Sequence, residues 1–241
     1  FVRSTKRVIL TPEGELLLQH VKPALSMLNE GEAVLSGEGN LTGQLRIGAS
    51  DTLCRYFLIP YLRRFHKDHP EVRIKIINST SIGCAELLEN GQAELIVTNY
   101  PNSRLSAHTK LQTVLEFRDI FVANPDYFTM GKSPLSMENL LDYPILMLAP
   151  KSTTSEYLHQ VFAAQGLKLL PELNSNDLLI DLAEIGLGIA CIPDYMLRNR
   201  PGLEPVHLKT PLPARSAVIA HHEALQLSQA AQCFLKYFSQ I

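Results

Sequence analysis

The sequence predicts an α/β protein built as two similar lobes joined by two crossover strands, with a long helix in front. Three observations carry this. Short apolar runs alternate with helical patterns, which marks parallel βαβ units. The alternation occurs twice, its hydroxyl-rich turns and helix-ending glycines recurring at offsets of 102, 96 and 95 residues (50 to 152, 79 to 175, 91 to 186). Two further strands, 115–125 and 215–222, lie outside the repeats, where the chain must leave the first lobe and return to it.

A strand and then a long helix open the chain. Thr11 suits an N-cap, Pro12 the first helical position and Glu13 the positive helix end. Leu17, Val21, Ala24, Leu28, Gly31 and Leu35 recur at spacings of 4, 3, 4, 3 and 4, a heptad seam. Such a seam suits a partner helix, and equally a helix lying on its own domain. Pro23 is expected to kink it. The stretch 36–44 is polar and glycine-rich, as a linker is.

The first repeat runs strand 45–49, hydroxyl turn 50–52, helix to about 67, strand 72–77, turn 79–81, a helix ending at Gly91, and strand 94–98. The second runs strand 144–150, turn 151–155, a helix ending at Gly166, strand 168–173, turn 174–176, a helix ending at Gly186, and strand 188–192. A helix over 223–238 closes the chain.

Hydrophobic residues make up 46% and charged residues 19%, ordinary for a soluble globular protein. A formal charge of −2 supplies no global basic field for nucleic acid. No apolar run approaches the ~20 residues of a membrane span, and the apolar part of the N-terminal stretch is too short for a secretory signal. Cys54, Cys84, Cys191 and Cys233 are far apart, form no CxxC pair and read as reduced core thiols. A cytoplasmic location is expected.

In lobes of this kind, ligands belong at the carboxyl ends of the strands. Each hydroxyl turn lies there, at a helix N-terminus that offers free N–H groups and partial positive charge. Four such ends facing one cleft would hold a small ligand carrying a carboxylate or another oxyanion. The alternative is that the Ser, Thr and Asn residues only cap helices. Lys151 is a candidate cation for the cleft, and Asp51 is expected to point outward. The sequence contains no GxSxG, HExxH, P-loop or complete GxGxxG, and "GLGIAC" (186–191) reads as a tight helix-to-strand turn. His66 and His69 have metal-ligand spacing but no third ligand. No catalytic residue, metal or cofactor is assigned.

Several segments resemble one family. "FVRSTKRVILTPEG" is similar to the wing and linker-helix start of LysR-type transcriptional regulators. "GQLRIGASDTL" and "LIPYLRRFHKDHPEVRIKI" resemble the first strand, helix and strand of that family's effector domain. "LLENGQAELIVT" and "DLAEIGLGIACIP" resemble later pieces of the two lobes.

The resemblance implies two Rossmann-like lobes in the periplasmic-binding-protein-like arrangement. The division it implies is a wing remnant at 1–11, a linker and dimerisation helix at 12–36, a flexible linker at 37–44, lobe I at 45–120 with 216–241, and lobe II at 121–215. It implies effector contacts at Ser50, Thr52, Ser81, Thr98, Asn99, Ser152 and Thr154, and contacts from Arg3, Lys6 and Arg7 of the wing to DNA phosphates. Partners would be a small-molecule effector, further copies of the chain (a dimer, and a tetramer at full length), and promoter DNA only through an N-terminal domain outside this sequence. The dimer face would draw on helices 53–67 and 223–238, with Phe57, Tyr61, Phe65, Phe234 and Phe238 either partly interfacial or core. No membrane is involved. A solute-binding protein of a transport system and a bilobal enzyme of the same fold are the alternatives.

Overall fold

The computed structural model describes residues 2–4, 7–35, 41–129, 131, 133–149, 153–163, 173–198 and 200–238. A short hairpin comes first, β1 (Val2–Ser4) pairing antiparallel with β2 (Arg7–Ile9). Helix α1 (Pro12–Leu35) follows. Thr11 caps it, its Oγ1 accepting from Gly14 N at 3.1 Å. The helix runs without a break through Pro23. Leu17 and Leu28 of the expected seam are exposed along it.

Lobe I is built on β3 (Gln44–Ala49), whose Leu45, Ile47 and Ala49 are fully buried. Parallel neighbours flank it, β4 (Arg73–Asn78) on the outer edge and β5 (Leu95–Tyr100) on the inner side. β5 is buried over five consecutive residues, as a strand covered on both faces must be. Between β3 and β4 the chain forms α2 (Asp51–Leu53), a π-helical turn (Cys54–Leu58) and α3 (Ile59–Asp68). Helix α4 (Ser81–Glu89) joins β4 to β5. It ends at Gly91, whose φ of +62° is the left-handed conformation glycine adopts without cost.

β6 (Thr109–Ala123) is the outgoing crossover, fifteen residues long. Residues 109–118 pair with β10 (Ala214–His222), the returning strand, which also pairs with β5. At Asp119 the partners change: 119–122 pair with β8 (Ile189–Pro193) and 121–123 with β9 (Glu204–Val206). The strand order is β4-β3-β5-β10-β6-β8-β7, with β7 (Ile145–Leu146) parallel to β8. Lobe II adds α5 (Met137–Leu140), α6 (Thr153–Ala163) and α7 (Asn176–Glu184). The chain closes with α8 (Gln229–Leu235) and a 3-10 turn, Lys236–Phe238.

Several expectations need correction. The strand expected at 144–150 is two residues long, with Leu148 bridging Leu173 beyond it. The body of the strand expected at 168–173, and the end of the preceding helix at Gly166, lie outside the described residues, as does most of the linker. β6 begins six residues earlier than expected, because Lys110, Leu111 and Gln112 are exposed and show no strand periodicity. The last helix starts at Gln229, not 223, since Ser228 caps it by accepting from Ala231 N at 3.1 Å. Of the two readings open for the aromatic residues, burial within the chain holds for Phe57, Phe65, Phe234 and Phe238, with Tyr61 stacked on Phe238 at 4.4 Å. An aromatic stripe on a helix looks the same whether it covers its own sheet or a second copy.

The largest buried cluster ignores the lobe boundary. It joins Leu53, Phe57 and Phe117 to Leu179, Ile180 and Ala183 of α7 and to Tyr195. Among the described residues no helix is long and apolar enough to cross a membrane.

Candidate functional site

The hydroxyl turns converge, and their side chains split between capping and lining. Ser50, Thr80 and Ser175 are N-caps, each side-chain oxygen accepting a backbone N–H three residues on at 3.1–3.3 Å. In the second turn Thr80 takes the capping role, and Ser81, the first residue of α4, accepts at its Oγ from Asn99 N at 3.4 Å. In the third, Thr153 and Thr154 open α6, and Ser155 Oγ donates to Leu148 O at 3.1 Å. All four helix beginnings border one cavity of about 250 Å³ between the lobes.

Of the expected contact residues, Ser50, Thr52, Ser81, Asn99 and Thr154 line this cavity. Thr98 does not. It is fully buried behind the wall, its Oγ1 donating to Ser81 O at 3.2 Å and accepting from Asn102 Nδ2 at 3.0 Å. Side chains alternate along a strand, so Asn99 faces the cavity and Thr98 faces α4. Ser152 and Lys151 lie outside the described residues. Asp51 is exposed, as expected, yet it borders the cavity mouth, and it is the one formally charged residue among the described lining. Arg3 and Arg7 lie on the two strands of the N-terminal hairpin; their side chains, and Lys6 altogether, lie outside the described residues.

The lobes touch directly across the cavity. Asn176 Nδ2 donates to Thr52 Oγ1 at 3.0 Å, and Asn99 Nδ2 to Thr154 Oγ1 at 3.4 Å. Beside the mouth, Tyr56 on the π-helical turn donates to Asp177 Oδ1 at 2.6 Å, and Arg55 pairs with the same carboxylate at 3.3 Å. Burial first, and then the bond to Asp177, hold the Tyr56 phenol above its usual range. A π-turn inserts one residue into the helix and rotates the succeeding turns about the axis.

Beneath the wall lies an ion pair that sequence reasoning missed. Arg215 Nη1 meets Asp119 Oδ2 at 2.7 Å, and both side chains are essentially inaccessible, 1% and 0% exposed. The same nitrogen donates to Thr154 Oγ1 at 3.2 Å. The guanidinium lies over the rings of Tyr157 at 4.6 Å and Phe117 at 5.4 Å. Burial pushes the Asp119 carboxyl up, and Arg215 pulls it back. A charge at each crossover, in "LEFRDIFVANP" and "RSAVIAHH", was the signal available.

Four lining side chains also carry polar atoms without a partner among the described residues: Asn99 Oδ1, Thr153 Oγ1, Asn176 Oδ1 and the Tyr195 hydroxyl. Burial raises the Tyr195 phenol well above its ordinary range, so it is a neutral donor. The described lining holds no His, Cys or Lys to activate a nucleophile. No group of three metal-ligating side chains occurs among the described residues. The chemistry available at this wall is hydrogen bonding.

The sequence profile of the LysR substrate binding domain matches residues 38–240. The chain belongs to the LysR substrate-binding-domain family. The HTH-type transcriptional regulator MetR of Escherichia coli K12 is 26% identical over 202 residues, 83% of this chain and 62% of MetR. The HTH-type transcriptional activator IlvY of Salmonella typhimurium is 24% identical over 221 residues, 90% of this chain and 74% of IlvY. The chain thus spans less than two thirds of the length of MetR. Among solved structures, the CcmR regulatory domain of Synechocystis PCC6803 in complex with 2-PG superposes with a TM-score of 0.74 at 21% identity, covering 82% of this chain and 96% of that one. A full-length OxyR variant of Pseudomonas aeruginosa superposes at 0.75 with 20% identity, covering 99% and 81%. These likenesses show the two-lobed α/β fold.

Proposed function

We propose that this chain is the effector-sensing part of a LysR-type transcriptional regulator. A small anionic metabolite enters the interlobe cavity and alters how the lobes, and copies of the chain, fit together. The observation that carries this is the convergence of four helix N-termini on one cavity whose buried wall has unpartnered polar atoms. Helix N-termini favour anions through free N–H groups and the macrodipole. Natural proteins seldom leave buried polar atoms unpaired without a use. The HTH-type regulator names of the relatives and the 2-PG complex of a domain of the same fold support the reading.

On this reading Ser50, Thr52, Ser81, Asn99 and Thr154 contact the effector, with Ser152 beside them on its turn. Thr98 holds α4 in place. The lobes divide near residues 120 and 216. The face of α1 carrying Leu17, Val21 and Leu28 pairs with a second copy. Arg3, Lys6 and Arg7 approach DNA phosphates, and promoter sequence is read by a helix-turn-helix preceding this segment. The protein acts in the cytoplasm, as a sensor and not an enzyme.

The test is a thermal-shift screen of small carboxylates and phosphorylated acids against this chain and an Asn99→Leu/Thr154→Val variant. A ligand at one hundred times its Kd stabilises by about 2.7 kcal/mol. The parent should respond and the variant should not. A compound that stabilises both equally binds elsewhere and defeats the reading.

A further inference from the structure

We infer that the ligand of this cavity carries hydroxyl or ammonium donors beside its acidic group, as a small hydroxy acid or amino acid does. The inference rests on the binding reading above and narrows it.

It comes from a count of donors and acceptors at the wall. Asn99, only 8% exposed, commits one of its two Nδ2 hydrogens to Thr154 of the other lobe at 3.4 Å. Asn176 commits one of its Nδ2 hydrogens to Thr52 at 3.0 Å. Each is left with a carbonyl oxygen that has no partner among the described residues, one in each lobe, and both residues line the cavity. A carbonyl oxygen only accepts, and so does a carboxylate. An ionised acid with no other polar group therefore cannot satisfy Asn99 Oδ1 or Asn176 Oδ1. A ligand O–H or N–H can.

The opposite need is met by other residues. The Tyr195 and Thr153 hydroxyls belong to residues only 6% and 2% exposed and also lack partners among the described residues. With the helix N-termini they supply donors for the anionic end. The wall thus asks for a molecule with both halves. Asp51 at the mouth favours a donor-bearing, singly charged or zwitterionic molecule over a polyanion. A volume of about 250 Å³ lies below the ~300–1,000 Å³ of drug-sized sites, so the molecule is small.

Matched acids on one carbon skeleton test this by titration calorimetry on the chain: propanoate, glycerate and serine, then hexanoate, gluconate and norleucine. On at least one skeleton, the hydroxy or the amino acid should bind at least about tenfold more tightly than the plain acid, since hydrogen bonds to buried groups are then left unmade. Which of the two leads assigns the donor as hydroxyl or ammonium. In Asn176→Leu, and independently in Asn99→Leu, the preference should fall below about threefold, with circular dichroism verifying the fold. A plain acid binding as tightly as its partners overturns the inference and leaves the binding reading intact; that result would mean the two amides present nitrogen to the cavity. No binding by any of the six overturns both.

Discussion

Replacing Arg215 with methionine should be among the most damaging single changes in the protein. The guanidinium is 2.7 Å from Asp119 Oδ2, and neither side chain reaches solvent. Methionine keeps most of the apolar volume against Tyr157 and Phe117 but leaves a buried carboxylate with no counter-ion. Breaking such a pair costs about 3–5 kcal/mol, at least about a fifth of the ~5–15 kcal/mol that holds a typical domain together. With a urea slope of roughly 2–3 kcal/mol/M, the midpoint should fall by about 1–2.5 M. The loss should deepen as pH rises. Burial already holds the Asp119 carboxyl above its ordinary range, and without Arg215 it rises further. The folded state then keeps a proton that the unfolded state gives up, so stability is lost with increasing pH. Arg215→Met combined with Asp119→Leu removes both charges and should recover to within about 1 kcal/mol of the parent. The double-mutant cycle would report a coupling of at least ~2 kcal/mol. An Arg215→Met protein that loses under about 1 kcal/mol, or a double variant no better than the single, would refute the argument.

Three other outcomes are expected. Gly186 and Gly91 both adopt left-handed φ, at +78° and +62°, but an added Cβ at Gly186 runs into the Tyr127 ring whereas Gly91 has nothing within 4 Å; alanine should cost about 1–2 kcal/mol at 91 and about 2–5 at 186 by urea titration, and equal losses would contradict the Tyr127 clash. Burial and a 2.6 Å bond to Asp68 push the Tyr237 phenol up to about 12; a folded-state pKa above the unfolded ~10 means stability is lost as pH climbs from about 10 to about 12, and Tyr237→Phe should flatten that part of the curve relative to the parent. Thr98→Val should cost about 1–3 kcal/mol, because Asn102 loses a buried acceptor, while ligand affinity changes less than about threefold; a tenfold loss of affinity at unchanged stability would return Thr98 to the cavity wall.

The parts of the fold that were legible in the sequence are those with local causes. β3, the helical stretch from α2 to α3, and β4 succeed one another because an apolar run, the Ser50 N-cap and an amphipathic stretch each act over a few residues. The cavity was legible for the same reason, since Ser50, Thr52, Ser81 and Thr154 sit on turns whose role depends on their neighbours in sequence. The hidden parts depend on pairings between distant residues. Arg215 and Asp119 are 96 residues apart, and neither alone predicts burial. Tyr195 comes just after an apolar strand and looks like packing, yet it lines the cavity with its hydroxyl unpartnered among the described residues. The π-turn over Cys54–Leu58 has no compositional sign, yet it accompanies the placement of Tyr56 beside Asp177. Thr98 was misplaced for a simpler reason: in a strand buried on both faces, polarity does not reveal which way a side chain points.

The apolar cluster that runs from Leu53 and Phe57 through Phe117 to α7 has a mechanical consequence. Two lobes joined only by strands could swing apart like a clamshell. Here the joint itself is filled with close-packed side chains, and close-packed interiors have low compressibility. Wide opening would have to disrupt this shared cluster and break the Tyr56–Asp177 and Asn176–Thr52 bonds across the lobes, so it costs more than a small shift of one lobe on the other. On the proposed function, occupancy would be reported as a change of shape rather than of openness. On the same reading, trimming Ile180 or Phe117, which belong to this cluster and do not line the cavity, would alter the strength of the response at constant chemistry in the cavity.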